Sequence, residues 1–159
     1  MKFSCEKYLL QSACSTAARA AAGKSPIPAL EGLLIQAEEN IRITGYDLKK
    51  GIYTGLEAQV EDKGAVVVGA RLFGEMMRRL PDGIVTISSD INNNVNVKCG
   101  KSEFNFMGIS PADYPEMPAV DGVNNIALPQ KILSSMINQT IFAVADNDIR
   151  PIYTGTLFD

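Results

Sequence analysis

The stretch Pro28-Ala29-Leu30-Glu31-Gly32-Leu33-Leu34-Ile35 has a counterpart in Pro151-Ile152-Tyr153-Thr154-Gly155-Thr156-Leu157-Phe158, 123 residues further on and without a gap. The prolines, the glycines and the leucines Leu10 and Leu133 of the preceding helix-like stretches all keep that spacing. An ungapped period of this length points to a whole domain copied in tandem rather than to a short solenoid unit. The second copy runs for only about 35 residues, too few to bury a core of its own. The sequence therefore reads as a complete domain over 1–120, a connector over 121–125 and the incomplete start of a second domain, with a helix and strands, over 126–159.

Within the first copy a shorter echo is present. Lys2 to Cys5 alternates as a strand, and Leu9, Leu10, Ala13, Cys14 and Ala17 then recur at helical spacing. Gly23-Lys24-Ser25-Pro26 breaks that helix, and strands are expected over Ala29–Ala37, Ile41–Asp47 and Ile52–Val60. A strand at Ala65–Gly69 restarts the order. A helix follows near Arg71–Leu80, with Leu72, Phe73, Met76, Met77 and Leu80 on one stripe, and strands at Ile84–Ser88, Val95–Cys99 and Glu103–Met107 complete it. A shift of 63 residues superimposes the two helical patterns, about half of the long period. The predicted fold is α+β, a doubled βαβββ motif with two helices on one side of antiparallel sheets.

Composition and motif searches exclude much. With 46% hydrophobic and 21% charged residues the chain has the balance of a soluble globular protein, and no run approaches the ~18 apolar residues of a membrane span. Met1 to Lys7 alternates instead of building an export signal, so a cytoplasmic location is expected. Cys5, Cys14 and Cys99 are odd in number and lack CxxC spacing, which speaks for buried reduced thiols and against a disulfide framework or zinc site. There is no histidine, which removes the commonest general base at neutral pH. Gly23-Lys24-Ser25 and Gly100-Lys101-Ser102 lack the upstream glycine of a phosphate-binding loop, having Ala18 and Val95 there. Asp90-Ile91-Asn92-Asn93-Asn94 lacks the glycine and glutamate of a calcium loop, having Val95 and Lys101. No catalytic residue, metal site or cofactor is assigned.

What remains is a dispersed cationic set. Arg71, Arg78 and Arg79 lie opposite or beside the apolar stripe of the second helix, and Lys7, Arg19 and Lys24 decorate the first helix and its exit. The net charge is −3, so any positive surface has to be local. Such cations serve either as ordinary solvated helix surface or as sequence-independent contacts to phosphates. No aromatic series interleaves with them, which argues against recognition of single strands by stacking.

Six segments taken together, Ser25 to Ile35, Ile43-Thr44-Gly45-Tyr46-Asp47-Leu48, Leu72 to Gly83, Lys98 to Phe104, Ala112-Asp113-Tyr114-Pro115 and Arg150 to Phe158, resemble the bacterial DNA polymerase III beta subunit, the family of replication sliding clamps. The resemblance implies three similar domains, about 369 residues at this period, paired head to tail as a homodimeric ring around double-stranded DNA. It implies a non-catalytic processivity role, with the DNA polymerase III catalytic subunit and the clamp loader as partners. It implies DNA contacts at Lys24, Arg71, Asn147 and Arg150, with Arg19, Arg78 and Arg79 as further basic candidates. By the same resemblance Glu103 to Met107 is an edge strand facing another subunit, where Phe104 and Phe106 bury and Lys98 and Lys101 meet acidic groups. Tyr153 matches a position lining a partner-peptide cleft. The alternative is a cytosolic, repeat-built protein-interaction module without a nucleic-acid role.

Overall fold

The structure, a computed structural model, describes residues 1–119, 126–147 and 149–159. The chain divides into two compact units, Met1–Pro118 and Ala119–Asp159. The expected connector, 121–125, lies outside the described residues.

In the first unit, strand β1 (Lys2–Glu6) leads into helix α1 (Lys7–Ala17), and β2 (Gly32–Ala37), β3 (Ile41–Tyr46), β4 (Gly51–Leu56) and β5 (Gln59–Asp62) follow. Then come β6 (Gly64–Gly69), helix α2 (Ala70–Arg79), β7 (Ile84–Ser89), β8 (Asn94–Cys99) and β9 (Ser102–Met107). Two antiparallel sheets result, in the orders β5-β1-β7-β8-β9 and β4-β3-β2-β6. The doubled motif is present, with one exchange that periodicity did not reveal. Strand β1 pairs with β7 of the other half, Phe3 opposite Ile87, and β6 pairs with β2, Val66 opposite Ile35. Each half thus gives its opening strand to the sheet of the other.

Three expectations need correction. Ala29–Glu31 is not strand: Pro28–Glu31 forms a 3₁₀ turn, for which proline at the first position is preorganised, and β2 starts at Gly32. The alternation from Ile52 to Val60 is real, but it hides a change of sheet. Strand β4 pairs with β3 in one sheet and β5 with β1 in the other, so the ladder breaks at Glu57-Ala58 while the inward face continues. Leu9 and Leu72, read as members of the buried stripes, are 36% and 56% exposed. They occupy the same place in the two halves, one step round the cylinder from the sealed Leu10 and Phe73, so the buried arc is narrower than the apolar one.

One core cluster gathers Phe3, Leu10, Cys14, Leu33, Ile35, Ile43, Val66, Phe73, Met77, Val85, Ile87 and Val97, drawn from both sheets and both helices. Each such side chain stabilises the unit by roughly 1.5–3 kcal/mol relative to exposure. Packing is close enough to reach the backbone. A Cβ on Gly45 of β3 would run into the Ala17 carbonyl at the end of α1, so only glycine lets strand and helix approach there. A strap after β9 closes the unit: Val67 and Ile109 exchange backbone hydrogen bonds at 3.1 and 2.9 Å, and the buried Tyr114 hydroxyl donates to the Thr44 carbonyl at 3.2 Å.

The second unit holds helix α3 (Gln130–Thr140) and 3₁₀ turns at Ile141–Ala143 and Pro151–Thr154. Their bounds repeat those of α1, Ala18–Ala20 and Pro28–Glu31 at 123 residues. The closing hydrogen bond repeats as well, Ala22 N–H to Leu30 O at 2.9 Å and Ala145 N–H to Tyr153 O at 3.0 Å. The strands expected in 126–159 are absent among the described residues. The reason is pairing: β2 is held by β3 and β6, and the counterparts of those strands would fall beyond these 159 residues.

Candidate nucleic-acid interface

Helices α1 and α2 lie side by side on the first unit, and a groove of about 560 Å³ runs between them. Gln11, Cys14, Ser15 and Ala18 of the first helical stretch line one wall, and Ala70, Arg71, Gly74, Met77 and Arg78 the other. Both sets follow helical spacing, so each is one face of its helix. Small residues, Cys14, Ser15, Ala18, Ala70 and Gly74, alternate along the walls with the longer Gln11, Arg71, Met77 and Arg78. A Cβ on Gly74 would meet nothing within 4 Å, so this glycine, costing about 1 kcal/mol against alanine in a helix interior, leaves open space rather than relieving a clash. Ala21, Ala22, Gly23 and Glu31 close one end of the groove.

Among the expected cations, Arg71 and Arg78 line this groove, and Lys24 follows Gly23 on its rim as an exposed residue. The Arg71 side chain is 94% exposed and its Nε donates to Glu75 at 3.3 Å, one helical turn on. Arg19 and Arg79 are exposed but are not groove-lining residues. In the second unit, Asn147 and Arg150 sit 123 residues after Lys24 and Ile27, hence at the same places in the repeated loop. Arg150 donates to the Tyr153 hydroxyl at 3.1 Å and lies 5.0 Å from the centre of its ring, so two of the three expected site residues of this unit are joined.

The residues expected at a subunit boundary divide. Phe106 is half-buried against the core, its ring centre 6.3 Å from that of Phe73, whereas Phe104 stays 42% exposed. Lys98 already has an acidic partner within its own sheet, Glu103 at 3.3 Å, and Lys101 is exposed. Hydrogen bonds from Asn96 and Lys98 hold the Glu103 carboxyl below its ordinary range. Strand β9 is the outer strand of its sheet and pairs only with β8 among the described residues.

The remaining chemistry is quiet. Burial pushes the Cys5 thiol up to about 11 and the Cys14 thiol further in the same direction, which makes both poor nucleophiles at neutral pH. Among the described residues no cluster of His, Cys, Asp or Glu could hold a metal ion, and no helix is long and apolar enough to cross a membrane. Sequence reasoning found the groove's arginines but missed the small residues of its walls and Glu31. The alanine run from Ala17 to Gly23 and a glycine inside α2 were the available signals.

Comparison with known proteins bears on this arrangement. The family model described as DNA polymerase III beta subunit, N-terminal domain, matches residues 1–118. The Beta sliding clamp of Halalkalibacterium halodurans is 32% identical over 150 residues, covering 89% of this chain and 40% of its own length. That of Micrococcus luteus is 35% identical over 159 residues, covering 98% and 50%. The solved DNA polymerase sliding clamp of Bacillus subtilis superposes with a TM-score of 0.88 at 29% identity, over 96% of this chain and 42% of that one. The chain thus spans half or less of the length of the curated relatives it matches.

Proposed function

The chain belongs to the DNA polymerase III beta subunit family, and on that premise we propose that its whole protein is a sliding clamp that encircles duplex DNA and tethers the replicative polymerase. The role is mechanical and non-catalytic. The observation that carries the reading is the shared groove: two helices of one unit offer Arg71, Arg78 and the Lys24 loop to one surface, with a sheet wall behind them. Phosphate contacts from so few cations are sequence-independent and easily screened, which suits a protein that must hold a duplex without reading or gripping it. The Arg71–Glu75 pair is consistent with this, because an exposed ion pair of this kind is worth at most about 1 kcal/mol and yields readily to a passing phosphate.

Within this reading residues 1–120 form the complete first domain, and 126–159 open a second whose Asn147 and Arg150 meet DNA as Lys24 does in the first. Strand β9, with Phe104 and Phe106 on it and Lys98 and Lys101 beside it, meets another subunit in a head-to-tail pair. Tyr153 contributes to a cleft for peptides of the polymerase and the loader, in the cytoplasm.

The test is topological. Full-length protein loaded by its loader onto nicked circular DNA should stay bound for many times longer than on the same DNA linearised. Equal residence on circle and line would overturn the encirclement.

A further inference from the structure

Glu31 ends the 3₁₀ turn before β2, and its carboxylate reaches back six residues to accept the Ser25 backbone N–H at 2.9 Å. The Ser25 hydroxyl in turn accepts the Ile27 N–H at 3.1 Å, and Ala22 N–H donates to Leu30 O at 2.9 Å. These bonds staple the loop on both sides of Lys24. Lys24 itself has no ion-pair partner among the described residues, unlike Arg71. The second copy is built otherwise. Thr154 stands in the place of Glu31, and its hydroxyl donates to the Pro151 carbonyl at 2.7 Å, within its own turn.

We propose that Glu31 is a positioning residue for DNA contact: it preorganises the Lys24 loop so that a free ammonium is presented at the end of the interhelical groove. This rests on the DNA-facing reading of Lys24 given above. A loop containing Gly23 would otherwise lose conformational freedom each time it met a phosphate, and a preformed loop avoids that cost at binding. The carboxylate acts through the backbone of Ser25 and not by touching DNA, so its negative charge is dispensable while its acceptor oxygen is not.

The experiment uses the full-length protein, a primed duplex as probe, and affinity measured across a salt series. Lys24→Ala should weaken binding about threefold to tenfold and lower the salt slope by about 0.9. Glu31→Ala should reproduce both effects, and the double variant should lose nothing further. Glu31→Gln keeps a carbonyl oxygen at the same reach and should restore parental binding. Amide exchange at Ser25 should quicken in Glu31→Ala alone, which a role confined to surface charge would not produce. Parental binding by Glu31→Ala, additive losses in the double variant, or a Glu31→Gln protein as weak as Glu31→Ala would each overturn the proposal. If Lys24→Ala itself binds as the parent does, the DNA-facing reading of Lys24 falls and takes the positioning role with it. Ser25 exchange separates that failure from a loop that Glu31 never held.

Discussion

Helices α1 and α3 begin and end 123 residues apart, continue into matching 3₁₀ turns and are closed by matching backbone hydrogen bonds. Their burial does not match. In α1, Leu10, Ala13, Cys14 and Ala17 are sealed; at the same places in α3, Leu133 and Ile137 are half-buried, Met136 is 52% exposed and Thr140 is exposed. Local sequence is therefore enough to write the element, its ends and its exit turn, whereas burial is written by strands that arrive from far along the chain.

The sharpest way to break this comparison is to remove the same methyl groups from both helices. In the 159-residue chain, Leu10→Ala should cost about 2–5 kcal/mol in denaturant unfolding, while Leu133→Ala should cost under about 1 kcal/mol. In the full-length protein the second figure should climb towards the first if further strands cover α3. Equal costs in the short chain would show that α3 is already packed. Next in size are the paired glycines that follow the repeated 3₁₀ turn. A Cβ on Gly32 would stand 2.5 Å from Val67 Cγ1 and 2.9 Å from the Val68 carbonyl, whereas one on Gly155 would meet nothing within 4 Å. Gly32→Ala should destabilise by about 1–3 kcal/mol and Gly155→Ala should leave thermal unfolding unchanged.

The smallest effect concerns acid. Asp47, in the turn between β3 and β4, accepts from the Lys50 ammonium at 2.6 Å and from the backbone N–H groups of Lys50 and Lys49 at 2.8 and 3.0 Å. These bonds, the Lys50 side chain first, bring its carboxyl down from 3.8 to about 2. Because the folded value lies below the unfolded one, the contribution is complete above pH 3.8 and is lost as pH falls through about 2. The protection of the Lys49 and Lys50 amides, taken relative to intrinsic exchange at each pH, should fall over that window in the parent and show no such step in Asp47→Asn.

How much of this was legible beforehand follows the same division. Element order in the first unit, the doubled motif and the long period were readable because alternation and helical spacing are local: α1, α2 and the strands β1 to β4 and β6 to β9 lie where the pattern put them, whereas β5 was merged with β4 and the strands expected in 126–159 are absent among the described residues. The exchange of β1 and β6 was not readable, since strands of like composition carry no mark of which partner they choose. The passage from β4 to β5 was hidden for a related reason: one inward-facing register serves both sheets, and only hydrogen bonding tells them apart. At the candidate interface the arginines declared themselves by charge. The small side chains and the glycine in the same walls carry no charge to mark them, and the role of Glu31 depends on a backbone N–H that no residue pattern exposes.

The trading of opening strands between halves has a consequence for how such a unit is made. Phe3 waits for Ile87, and Gly32 for Gly69, so neither half can close its sheet while the other is still being synthesised. Pairings this distant slow the search for the native state. The repeat is therefore not divisible in the product: cutting the unit at its midpoint would yield two unfinished folds, not two smaller ones.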